Sequence, residues 1–114
     1  MAESPTPTTP AELMVQLDQA LRSDPERTRG IESVFAFDVE GEDGGHWWIE
    51  ARDGAGSAQA GRHPSPDVTV YVDDASLVRL GTHELDGGEA YVSGIITLEG
   101  DHSRAMLLAQ IFGD

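Results

Sequence analysis

From Ala11 onward, Leu13, Leu17, Ala20 and Leu21 recur at helical spacing behind Thr9 and Pro10, which predicts an amphipathic helix. Ser23-Asp24-Pro25-Glu26 then sets a capping residue before a proline, predicting a short polar second helix that ends near Gly30. After Ile31 the period changes to two. Val34, Ala36 and Asp38 alternate with Phe35, Phe37 and Val39, the pattern of a half-buried strand. Residues 41–45 form a glycine- and acid-rich turn, and Trp47, Ile49 and Ala51 alternate with Trp48, Glu50 and Arg52 as the second arm of a hairpin. Asp53-Gly54 turns the chain again into a weaker strand over residues 57–60. Beyond the breakers Pro64 and Pro66, residues 67–72 form the clearest strand. Loop lengths predict that these three to four strands are consecutive and antiparallel.

Asp73 caps a predicted helix through Leu77, Val78 and Leu80 that stops near Gly81. A second short helix is expected over residues 87–92, then a strand over residues 95–99 released by Gly94 and closed by Gly100. Ala105, Leu108, Ala109, Ile111 and Phe112 lie along one final helical stripe. Residues 1–10 carry three prolines and no apolar period, so they read as a flexible N-terminal tail, leaving residues 11–114 as one domain. There is no internal repeat.

Composition narrows the function classes. At 114 residues the chain holds one core, and no apolar run is long enough to span a bilayer. Acidic residues outnumber basic ones 21 to 7, for a net charge of −14, so a nucleic-acid backbone would be repelled. All basic residues are Arg, and Cys is absent. That removes disulfides and thiolate metal sites, and with no secretory signal visible after Met1 the expected compartment is the cytoplasm.

Catalytic chemistry finds little support. His46, His63, His83 and His102 are scattered with no metal-ligand spacing, so no metal is expected. Asp38, Glu40, Glu42 and Asp43 lack the alternation and distal Glu of a calcium loop and read as a solvated hairpin turn. Ser93 lacks the preceding glycine of a nucleophile elbow. The glycine-rich pieces open hairpins rather than helices, which argues against a phosphate cradle. Trp47 points inward with Ile49, whereas Trp48 shares the face of Glu50 and Arg52 and is expected to pack locally.

Four segments, in order, resemble the sterol carrier protein type 2 domains. Phe35-Ala36-Phe37-Asp38-Val39 with its acidic turn is similar to that family's first strand and hairpin. Trp47 seven residues before Gly54 resembles the strand-two tryptophan and following turn. Pro66-Asp67-Val68-Thr69-Val70-Tyr71-Val72-Asp73-Asp74 resembles the strand-to-helix passage. Glu89-Ala90-Tyr91-Val92-Ser93-Gly94-Ile95-Ile96-Thr97-Leu98-Glu99-Gly100 is similar to the late segment in which an aromatic precedes a Gly, a strand and a second Gly. The likeness covers roughly residues 11–112. It departs at His83, where members commonly carry Gly, and at Ile95, where they commonly carry Lys.

The resemblance implies an α+β fold, a five-stranded mostly antiparallel sheet covered on one face by helices, with an apolar tunnel between the layers. It implies non-catalytic binding and transfer of a hydrophobic ligand (fatty acid, acyl-coenzyme A, sterol-like or isoprenoid lipid), without a cofactor. The lining expected is Phe37, Trp47, Ile49, Val70, Leu77, Leu80, Tyr91, Ile96, Leu98, Met106, Leu108, Ile111 and Phe112, with Tyr91 as a head-group contact. The same residues serve equally as a plain core. Emptying about 300 Å3 at about 24 cal/mol per Å3 costs roughly 7 kcal/mol, comparable to a small domain's stability of about 5 to 15 kcal/mol. A tunnel is therefore expected to be lipid-filled, partly collapsed or held open by a homodimer. The alternative is an accessory module of the same fold that assists an enzyme without a free ligand. Its acidic surface would favour a basic protein over an anionic membrane.

Overall fold

The computed structural model describes residues 6–112. Helix α1 (Pro10–Ser23) starts as its sequence dictates: the Thr9 hydroxyl accepts the Glu12 N–H at 3.2 Å, and Pro10 sits in the first turn, where an N–H would find no partner. Of the expected tail, residues 1–5 lie outside the described residues, while Thr8 bonds the Glu12 carboxylate and Thr9 caps the helix. Asp24 caps a single 3-10 turn, Pro25–Thr28.

Strands β1 (Ser33–Glu40), β2 (Gly45–Arg52), β3 (Ala55–Ala60), β4 (Val68–Asp73) and β5 (Thr97–Gly100) form one sheet in the order β3-β2-β1-β4-β5. Three of the pairings are antiparallel. The fourth corrects the expected meander, because β4 lies beside β1 and runs parallel to it. Residues 61–67 carry the chain from one side of the β1/β2 hairpin to the other. Ala60 lies in the same cross-strand row as Val70, so β4 begins only two residues back from it. The lateral step spans three strand spacings, about 14 Å, and seven extended residues reach about 23 Å, so the crossover needs no helix. Asp67 closes it: its carboxylate accepts the Val34 N–H at 2.8 Å, its N–H donates to Val34 at 2.9 Å, and its carbonyl accepts from Asp101.

Helix α2 (Asp74–Gly81) is capped by Asp73 and α3 (Gly87–Val92) by Asp86. The end of α2 is not set by Gly81, which is its last residue. Thr82 follows, His83 adopts φ 66°, and the N–H groups of His83 and Glu84 return to the carbonyls of Leu80 and Arg79 at 3.3 and 2.9 Å. This is a Schellman closure with histidine where glycine is usual. Gly81 has another duty, since a Cβ there would collide with Leu13 of α1.

Two further boundaries shift. Strand β5 starts at Thr97 rather than Ile95, because the N–H groups of Ile95 and Ile96 are spent on the carbonyl of Ala90. The final stripe is divided between α4 (His102–Ala105) and α5 (Leu108–Phe112). The Leu107 N–H bonds the Arg104 carbonyl in a tight turn at 3.0 Å, and each short helix is tied elsewhere. Arg104 reaches the Glu32 carbonyl and Ser33, while Gln110 donates to the carbonyls of Glu26 and Arg29.

Candidate functional site

Alternation places Phe35, Phe37, Val39, Trp47, Ile49, Ala51, Val68, Val70 and Val72 on one sheet face, and α1, α2 and α5 cover it. The register makes this face a set of rows. One runs Ala58, Ile49, Phe35, Val68; the next runs Ala60, Trp47, Phe37, Val70, Leu98. Four of the residues expected to line a ligand site, Trp47, Phe37, Val70 and Leu98, therefore stand side by side across four strands. Phe112 of α5 meets Phe37 edge-on, with ring centroids 6.4 Å apart. Leu77 and Ile111 are fully buried over these rows, and Ile49 lies in the neighbouring row.

Burial divides the expected lining into three groups. Phe37, Ile49, Val70, Leu77 and Ile111 belong to the buried cluster. Trp47, Leu80, Ile96, Leu98, Leu108 and Phe112 pack against that cluster but keep part of their surface open. Tyr91 and Met106 stand outside it; Tyr91 contacts the His102 ring at 6.4 Å, edge-on. The layer also contains residues the sequence reading left out of the site: Leu13, Met14, Leu17 and Leu21 from α1, with Phe35, Val68 and Leu107. Phe35 was within reach of the reading, since it shares the parity of Phe37.

No charged side chain among the described residues is fully buried; the buried polar ones are Thr28 and Ser33. Ser33 receives a bond from Arg104. Thr28 sets its methyl against Gly56 of β3, and its hydroxyl finds no partner among the described residues. The layer is thus apolar, with no buried charge among the described residues. The helix α5 that closes it is pinned from outside by Arg27, whose guanidinium donates to the Ile111 carbonyl at 3.2 Å.

Residues 61–67 cross the opposite, helix-free face, where a cleft of about 190 Å3 opens between Ala36, Asp38, His46, Arg62, His63 and Tyr71. His63 packs edge-on against Trp48 at 4.8 Å, so the second tryptophan is covered locally as expected. Ser65 donates its N–H to His63 Nδ1 at 3.0 Å. Loss of water and the adjacent Glu99 carboxylate push the Tyr71 hydroxyl upward, so it stays a donor to Glu99.

Electrostatic features elsewhere serve the fold. Partial burial opposes ionisation of Asp18, but the Ala58 N–H at 2.9 Å and the Arg22 guanidinium outweigh it and hold the carboxyl below its usual range. This bond occupies an outward N–H of the edge strand β3, which would otherwise offer itself to another chain. Hydrogen bonds from Ser76 and Ser103 likewise lower Asp73 and Asp101, the caps of α2 and α4. Ser93 is engaged by its own helix, its hydroxyl donating to the Glu89 carbonyl at 2.8 Å. Among the described residues no group of three His, Asp or Glu could hold a metal, and no helix is long and apolar enough to cross a membrane.

Comparison with known proteins agrees with this architecture. Hydroxysteroid dehydrogenase-like protein 2 of Danio rerio is 31% identical over 88 residues, which cover 76% of this chain and 21% of that protein. Sterol carrier protein 2 of Gallus gallus is 25% identical over 100 residues, 84% of this chain and 18% of that one. The chain thus spans about a fifth of the length of the curated relatives it matches. Among solved structures, palmitated SCP2L2 from Aedes aegypti superposes with a TM-score of 0.77 at 24% identity, covering 94% of this chain and 96% of that one. The sterol carrier protein domain 2 of Helicoverpa armigera gives 0.69 at 26% identity over 87% and 81%. The family model described as the SCP-2 sterol transfer family matches residues 14–113, and the chain belongs to that family.

Proposed function

We propose that this chain binds a single hydrophobic ligand, a fatty acid, acyl-coenzyme A, sterol-like or isoprenoid lipid, between its helices and sheet, and releases it to an acceptor without a covalent step. The observation that carries this reading is the row Trp47, Phe37, Val70 and Leu98 with Phe112 set across it, apolar throughout and only partly buried at its ends. An inserted chain would cover them, and about ten methylenes at about 0.8 kcal/mol each contribute about 8 kcal/mol before association costs, enough to bind without a charged anchor. The solved relatives bound to palmitate support a fatty acid as the first ligand to try. The lining comprises Phe37, Trp47, Ile49, Val70, Leu77, Leu80, Ile96, Leu98, Leu108, Ile111 and Phe112, whereas Tyr91 and Met106, exposed and outside the apolar cluster, are left out of it. Carriage takes place in the cytoplasm, which suits a chain without Cys.

Native mass spectrometry of the purified chain, followed by extraction and lipid analysis, tests the reading. A stoichiometric lipid supports it. An apo mass that stays apo on adding palmitate, palmitoyl-coenzyme A or cholesterol rejects it.

A further inference from the structure

Among the described residues, four of the six large apolar ones that stand exposed fall in one stretch of the fold: Tyr91 (47%), Val92 (86%), Ile95 (37%) and Met106 (81%). They are linked by chain adjacency and by one ring contact. Tyr91 and Val92 end α3, and Ile95 follows directly, held by its bond to the Ala90 carbonyl at 2.8 Å. The Tyr91 ring touches His102, and Met106 follows His102 by four residues at the end of α4, on the same helical side. The exposed charges of these segments are almost all acidic. Glu84, Asp86 and Glu89 flank the α3 side and Asp101 the α4 side, and the one arginine, Arg104, is bound to Asp101 at 3.0 Å and to β1. An apolar centre within an acidic rim, on a chain of net charge −14, repels an anionic bilayer and attracts a cationic, apolar-faced surface.

We infer that the patch formed by Tyr91, Val92, Ile95 and Met106 docks a positively charged amphipathic helix of a partner protein, with Val92 and Met106 as its apolar anchors. The patch is separate from the helix–sheet layer. Docking there does not require that the layer hold a lipid.

The test uses a fluorescein-labelled synthetic helix with leucines on one side and lysines on the other, titrated with the full chain and with Val92→Asp, Met106→Asp and Val15→Asp. Val15 is exposed on α1, which packs at the β3 edge of the sheet; its variant matches both others in added charge and Val92→Asp in residue type as well. The first two variants should weaken binding at least tenfold even though each adds a charge that attracts lysine, and Val15→Asp should stay within twofold. All should keep the parent's unfolding midpoint; a variant that does not is replaced by Val92→Ser or Met106→Ser, with the same tenfold loss expected. Absence of binding, or equal loss in all three variants, overturns the inference. So does co-sedimentation with phosphatidylserine vesicles that Met106→Asp abolishes, which would assign the patch to a membrane.

Discussion

Replacing His83 with glycine should stabilise this protein. His83 is the residue after the C-cap of α2, held at φ 66° by the closure onto Leu80 and Arg79. A left-handed conformation costs a residue with a Cβ about 1 to 2 kcal/mol, while glycine adds about 0.5 to 1 kcal/mol of unfolded-state entropy. The net gain expected of His83→Gly is about 1 kcal/mol, or roughly 4 °C in the midpoint for a domain of this length. His83→Ala isolates the cause, because it removes the imidazole and its contacts but keeps the Cβ, so it should gain nothing. Thermal and urea unfolding of the three proteins, followed by circular dichroism, reads the difference. A His83→Gly variant no more stable than His83→Ala would mean that the backbone is not strained at this position.

Thr28→Val keeps the shape of a fully buried side chain and deletes a hydroxyl without a partner among the described residues, so urea unfolding should show a gain of about 1 kcal/mol. A loss would mean that the hydroxyl has a partner. Asp18→Ala leaves the Ala58 N–H of the edge strand without its acceptor and should cost about 1 to 2 kcal/mol at pH 7. Since the folded state holds the Asp18 carboxyl below its ordinary 3.8, its contribution is complete above that value and disappears as pH falls through the lower, folded one. Stability of the parent and the Asp18→Ala variant, measured from pH 6 to 2, should therefore converge only at the acid end. Phe112→Ala removes the ring that meets Phe37, and should weaken palmitate binding about tenfold by calorimetric titration, with a stability loss of about 2 kcal/mol or less because Phe112 is only partly buried. Unchanged affinity would take α5 out of the lipid site.

Local rules made most elements readable. The helix start behind Thr9, the caps at Asp24 and Asp73 and the two-residue alternation through Phe37, Ile49 and Val70 all appear in the structure where the pattern puts them. What the pattern lacked was relative placement. Parity showed that Phe37 and Val70 each face inward but not that they are partners, because the parallel pairing of β1 with β4 depends on a crossover whose path local sequence does not encode. The final stripe held the right apolar residues for one helix, but the turn at Leu107 and the ties from Arg104 and Gln110 are long-range, so Met106 ended in solvent rather than over the sheet. Tyr91 is expected at a ligand head group because it carries one polar atom on a large apolar body; its ring lies on His102, outside the apolar layer. His83 is the reverse case. Its departure from glycine was visible in the sequence, but its consequence needed the backbone angle.

The proposed lipid site lies between the helices and the inner sheet face, along the row that contains Phe37. Uniformly carbon-13-labelled palmitate, mixed with unlabelled protein and followed by isotope-filtered nuclear Overhauser spectroscopy, tests it most directly. Contacts are expected from the chain methylenes to Phe37, Val70, Leu98 and Phe112. Contacts confined to Ala36, Thr69 and Tyr71 on the opposite face, or none at saturating palmitate, would contradict it.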